Sequence, residues 1–202
     1  MTPPSRDSPA QVGEVPLWNL ANMLTMSRLA MVPLFLLALL VDDGTDPFWR
    51  MVAALLFLIA SMTDRLDGDL ARRRGQVTDF GKVADPIADK ALTGSALVGL
   101  SALGELPWWV TLLIAGRELG VTALRFWVLR HGVIPASHGG KIKTFAQGIA
   151  IVLYVLPFGA TADPVLWSAM GIAVALTVIT GVDYLVRALR LRATARRILV
   201  TS

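Results

Sequence analysis

The sequence predicts an all-α integral membrane protein of six transmembrane helices, and three observations lead there. Of its 202 residues 54% are hydrophobic, and the mean hydropathy is +0.60, more apolar content than a soluble core of this length needs. Six apolar segments, approximately 20–41, 48–73, 82–103, 107–131, 143–160 and 165–189, are each near or above the roughly 20 residues that cross about 30 Å of hydrocarbon. Their connections alternate in charge: 42–47, 104–107 and 159–164 contain no Lys or Arg, whereas the opposite ends are rich in both. In lipid every backbone N–H and C=O must be satisfied within its own segment, so each span is expected to be helical.

Taken in order, residues 1–16, with prolines at 3, 4, 9 and 16, read as a disordered cytosolic tail. Residues 17–190 form the six-helix domain. Its first segment is long, contains Pro33 and lacks a small-residue cleavage site before its acidic loop, so it reads as a retained helix rather than a secretory signal. The second ends in Arg65, Arg72, Arg73 and Arg74, and the third opens at Lys82. The fourth runs to Arg130, the fifth opens beside Lys141 and Lys143, and the sixth closes on Arg187 and Arg190. Residues 191–202, with Arg192, Arg196 and Arg197, read as a basic cytosolic tail. The positive-inside rule places both termini in the cytosol, with Arg50 as the one exception at an outer end. Trp49, Trp108 and Trp109 fall beside outer connections, where an interfacial belt would hold them.

A net charge of +4 and a pI near 10.0 could point to nucleic acid. The basic residues sit at the ends of apolar segments, however, which points to anionic headgroups and phosphorylated substrates and away from nucleic acid. There is no cysteine, which excludes a disulfide framework and a thiolate zinc site.

The chemistry lies in DRLDGDLARRRGQVTDFGKVADPIAD, Asp64 to Asp89. Asp64, Asp67, Gly68 and Ala71 share one stripe of a helix, and Gly81, Asp85 and Asp89 share one stripe of the next. Two carboxylates on each of two neighbouring helices can converge near the cytosolic membrane surface, and the small residues beside them leave room for a ligand. Carboxylates so close repel unless a cation neutralises them. Oxygen-only ligation favours a hard ion, Mg²⁺ or Mn²⁺. Asp69 and Asp79 fall off the stripes and read as surface charges.

With its eight fixed positions over 26 residues, Asp64-x2-Asp67-Gly68-x2-Ala71-Arg72-x8-Gly81-x3-Asp85-x3-Asp89 resembles the signature of the CDP-alcohol phosphotransferase family. The resemblance implies a homodimeric six-helix bundle with a cytosol-facing cavity holding two divalent metals. It implies that Asp64, Asp67, Asp85 and Asp89 bind metal and that Asp89 is also the general base. It assigns the CDP-lipid site to Gly68, Ala71, Arg72, Thr78 and Gly81. Two further stretches, GRELGVTALR from 116 and GVIPASHGGKIKTFAQ from 132, are similar to the phosphatidylglycerophosphate synthase branch of that family, as is the opening Asn19-Leu20-Ala21-Asn22-Met23-Leu24-Thr25-x2-Arg28. The expected reaction moves a phosphatidyl group from CDP-diacylglycerol to glycerol-3-phosphate without a covalent enzyme intermediate.

Arg117, Lys141 and Lys143, with Arg28 as a further contact, suit an acceptor that carries its own phosphate, because they offer charge-assisted donors to a dianion. The same side chains could instead snorkel to lipid phosphates. Other acceptors in the same family (inositol phosphate, serine or phosphatidylglycerol) remain open, as does a small divalent-cation transporter. Against the transporter, the four aspartates gather at one membrane face and no acid continues the path. His131 and His138 read as solvated loop residues. Ala91, Ser95 and Gly99, and Gly116 with Gly120, read as helix-packing surfaces. Glu118 and Asp183 read as partners of nearby arginines.

Overall fold

The computed structural model describes the backbone of residues 20–74, 79–128 and 138–201. Side chains are described for 22–63, 84, 87–124, 139–159 and 161–190. Among these residues there are six α-helices and no strand: α1 Leu20–Leu40, α2 Pro47–Arg74, α3 Asp79–Ala102, α4 Trp108–Val128, α5 His138–Val155 and α6 Asp163–Thr201. The expected tail at 1–16 lies outside the described residues, as does His131.

Local chemistry sets several boundaries. Asp46 accepts hydrogen bonds at Oδ1 from the backbone N–H groups of Phe48 (2.8 Å) and Trp49 (3.3 Å). It thereby caps α2, and Pro47 fills the first helical position, where no N–H is needed. Gly44, in the turn between α1 and α2, has φ +70°, and a Cβ there would lie 2.7 Å from Leu103 Cδ1, so both backbone and space call for glycine. The fifth helix starts at His138, five residues ahead of the apolar run. The sixth continues through 191–201, because LRATARRILVT contains neither Gly nor Pro to stop it.

In the packing, α1 lies against α2 and α3, α5 against α6 and α2, and α4 against α6 and α3. Phe35, Leu39, Phe57, Leu97, Leu100, Ile114 and Ile151 form the centre, with alanines 53, 60, 88, 96, 150 and 173 wholly buried between helices. Small residues let helix backbones approach where lipid supplies no hydrophobic drive. Gly99 serves that purpose against α1, where a Cβ would meet Leu39 Cδ2 at 2.8 Å. Gly116 and Gly120 are exposed on α4 and have no neighbour within 4 Å of an added Cβ, so among the described residues that pair packs against no other helix.

Two stretches, Asn22–Gly44 and Asp163–Arg190, are long and apolar enough to cross a membrane, and only 28% and 22% of their most apolar windows are buried. Core helices of a soluble protein show the opposite. Leu37, Leu112, Leu119 and Ile179 are each more than 60% exposed, an apolar surface suited to lipid. The other helices carry ionisable residues within their length: Asp89 and Lys90 on α3, Arg117 and Glu118 on α4, Lys141 and Lys143 on α5.

Arg50, the exception to the charge pattern, is almost fully buried. It pairs through both terminal nitrogens with Glu105, and it donates from Nε to the Val155 carbonyl (2.9 Å) and from Nη2 to the Tyr154 carbonyl (2.5 Å). It therefore satisfies the last carbonyls of α5, where a cation is favoured by the helix dipole. This arginine is a structural clamp and not a topological signal.

Candidate active site

A cavity of about 290 Å³ lies between α2, α3, α4 and α5. Asp89, Lys90 and Thr93 of α3 form one wall, Glu118 of α4 a second, and Lys143, Thr144 and Gln147 of α5 a third, with Phe57 and Ser61 of α2 completing it. The spacing explains the convergence: Asp89 and Thr93 on α3, and Lys143 and Gln147 on α5, are one helical turn apart and share a face.

The charged centre is a shared carboxylate. Glu118 Oε1 accepts from Arg117 Nη1 at 3.0 Å and also from Lys143 Nζ. The Lys143 side chain is 4% exposed, that of Arg117 13% and that of Glu118 27%. Helix α6 holds the arginine from behind. Arg117 Nη2 donates to Thr180 Oγ1 (2.8 Å), and the guanidinium carbon lies 5.8 Å from the Tyr184 ring centroid. Thr180 donates onward to the Leu176 carbonyl (2.7 Å). Gly181 leaves room for this arrangement, since a Cβ there would come within 3.2 Å of Arg117 Cγ. Across the site Lys90 Nζ donates to Thr122 Oγ1, which donates to the Glu118 carbonyl (2.8 Å) and ties α3 to α4.

Of the expected acceptor residues, Lys143 lines the cavity with Asp89, and Arg117 reaches it through Glu118. Lys141 is exposed and outside the lining. Arg28 is buried on α1, also outside the lining. Asp64, Asp67, Gly68, Ala71 and Arg72 lie on α2, and Gly81 and Asp85 on α3. Their side chains lie outside the described ones, and Thr78 lies outside the described residues altogether. Among the described residues no three His, Cys, Asp or Glu side chains gather as metal ligands.

The pairing of Glu118 with an arginine and of Asp183 with Arg187 (3.0 Å) follows the sequence expectation. The link from Glu118 to Lys143 was not anticipated, nor were Lys90 and Gln147 as cavity residues. Both carried a signal: Lys90 adjoins Asp89, and Gln147 follows Lys143 by one turn. Thr180 and Tyr184 carried none.

Comparison with known proteins identifies the family. The family profile of CDP-alcohol phosphatidyltransferases matches residues 18–183. A Mycobacterium tuberculosis protein named "Probable phosphatidylglycerophosphate synthase" is 58% identical over 178 residues, 88% of this chain and 85% of the relative. The CDP-diacylglycerol–glycerol-3-phosphate 3-phosphatidyltransferase of Bacillus subtilis is 39% identical over 181 residues, 83% of this chain and 94% of that protein. Its Escherichia coli namesake is 40% identical over 140 residues, 66% of this chain and 75% of that protein. The chain belongs to the CDP-alcohol phosphatidyltransferase family.

Proposed function

We propose that this chain transfers the phosphatidyl group of CDP-diacylglycerol to glycerol-3-phosphate, releasing CMP and phosphatidylglycerophosphate. The names of its relatives support the reaction. The observation that carries the acceptor is the sharing of one carboxylate by two cations. Glu118 neutralises only one of Arg117 and Lys143, so the cluster keeps a net positive charge at the cavity wall. An anion entering the cavity would find charge-assisted donors already oriented by α6. A volume of about 290 Å³ is at the low end for small-molecule sites and suits a small polar acceptor rather than a lipid nucleotide.

In this reading Lys143 and Arg117 hold the acceptor phosphate, with Lys141 and Arg28 as outlying cations. Asp89 faces the 1-hydroxyl and takes its proton. The hydroxyl oxygen bonds to the β-phosphorus as the bond from that phosphorus to the CMP oxygen breaks. Gly68, Ala71, Arg72, Thr78 and Gly81 would receive the CDP moiety. Asp64, Asp67, Asp85 and Asp89 would hold two divalent ions, Mg²⁺ or Mn²⁺. When bound, these ions supply charge neutralisation for the diphosphate and the leaving CMP. The all-oxygen donor set on two packed helices fits a hard cation, as does the placement of Asp89 on the cavity wall.

The same proposal places the chain in the inner (cytoplasmic) membrane as a six-span protein, with both termini and the active site facing the cytosol. The exposed apolar helix faces and the alternating charge of the connections support this. A homodimer is supported by the unpacked α4 face around Leu112, Gly116 and Gly120.

The test is CMP release by the purified full chain with CDP-diacylglycerol, Mg²⁺ and a panel of acceptors. Release should require all three components and be fastest with glycerol-3-phosphate. Equal or faster release with serine, inositol phosphate or phosphatidylglycerol would reject the acceptor assignment.

A further inference from the structure

Gln147 is 2% exposed, lines the same cavity as Asp89 and Lys143, and holds its buried Oε1 without a hydrogen-bond partner. Buried polar atoms are normally paired, so an orphan acceptor at a cavity wall marks where a ligand group belongs. A carbonyl oxygen can be satisfied only by a donor. Lys143, the cation one turn earlier on α5, gives its Nζ to Glu118. A phosphate dianion offers acceptors alone, so the group that meets Oε1 of Gln147 is not the acceptor phosphate. It must carry an O–H or N–H.

Glycerol-3-phosphate has two hydroxyls. In the proposed reaction the 1-hydroxyl gives its proton to Asp89 and becomes the new ester oxygen, whereas the 2-hydroxyl passes through unchanged. We propose that Gln147 is a specificity-determining residue whose Oε1 accepts a hydrogen bond from the 2-hydroxyl of the acceptor. This rests on the acceptor assignment above and deepens it: Lys143 and Arg117 read the phosphate, and Gln147 reads the carbon between phosphate and nucleophile. A site built around a hydroxyl rejects the analogue lacking it, because its own polar group then stays buried and unpaired.

The experiment compares glycerol-3-phosphate with 3-hydroxypropyl phosphate, which keeps the phosphate and the nucleophilic hydroxyl but lacks the 2-hydroxyl. CMP release by the full chain should show kcat/KM lower by about tenfold to a hundredfold for the deoxy acceptor. In Gln147→Met the preference should vanish: glycerol-3-phosphate falls to the deoxy level, and the deoxy acceptor keeps its wild-type efficiency. A merely structural role for Gln147 would lower both acceptors in proportion, and that result overturns the proposal. Should the methionine variant fail to fold, the wild-type ratio alone remains decisive, since equal use of the two acceptors also overturns it. If the unaltered protein releases no CMP with glycerol-3-phosphate but does so with another alcohol, the acceptor assignment falls, and the 2-hydroxyl role with it.

Discussion

Replacing Lys143 by methionine separates a phosphate-reading lysine from one that only neutralises Glu118. The lysine side chain is 4% exposed and its ammonium shares Glu118 Oε1 with Arg117. Its removal leaves Glu118 paired with Arg117 at 3.0 Å, so the carboxylate is not orphaned and the cluster falls from one net positive charge to none. A lost charge-assisted contact is worth roughly 1.5–3 kcal/mol, or about tenfold to a hundredfold in kcat/KM. The loss should appear as a raised KM for glycerol-3-phosphate, with the affinity for CDP-diacylglycerol unchanged. Lys143→Arg should be milder than Lys143→Gln, because charge is kept. The decisive comparison is the double variant Glu118→Gln with Lys143→Met, which removes both partners of the pair. The double variant regains one net positive charge through the freed Arg117, so if Lys143 reads phosphate by direct contact its KM recovers only in part. If Lys143 serves only as the counter-ion of Glu118, the double variant recovers the wild-type KM, and the reasoning above is refuted.

Three further outcomes can be measured. Asp89→Asn should lower turnover by about 10² to 10⁴, the usual cost of losing a general base, while CDP-lipid still binds in the presence of metal. Asp69→Ala, off the carboxylate stripe, should retain most activity, and a loss there equal to that of Asp64→Ala would refute the helical-face argument. Arg50→Met should act on stability alone. It leaves Glu105 and two α5 carbonyls without their donor, a disruption of about 2–4 kcal/mol after allowing for the wet side of Glu105. The melting temperature in detergent should fall by several degrees, and specific activity of the folded fraction should hold; an unchanged melting temperature would remove the clamp role.

Much of the architecture was legible along the chain because it depends on neighbours in sequence. Apolar length marks helices that lipid requires to bond internally. Carboxylates three and four residues apart must share a helical face, so the stripe ending at Asp89 could be read before any packing was known. Gln147, one turn after Lys143, was readable in the same way, although nothing in the sequence said that its face met a cavity. The small-residue pairs show where such reading ends. Gly99 and Gly116 stand in like patterns, yet among the described residues Gly99 is pressed by another helix and Gly116 is not, since the facing side chain is set by helix placement.

The charge partners belong to the tertiary structure. Glu118 meets Lys143 across 25 residues, Arg117 meets Thr180 across 63, and Arg50 reaches Glu105 across 55 and the end of α5 across 104 and 105. A buried ion is tolerable only beside its counter-charge. Which carboxylate that is depends on which helices come together, and no local spacing encodes it. Apolar length and residue spacing were enough to read the helices, their polar ends and the family of chemistry. The packing of α3, α4, α5 and α6 decided that two cations share one carboxylate, and that charge imbalance leaves room for a second anion.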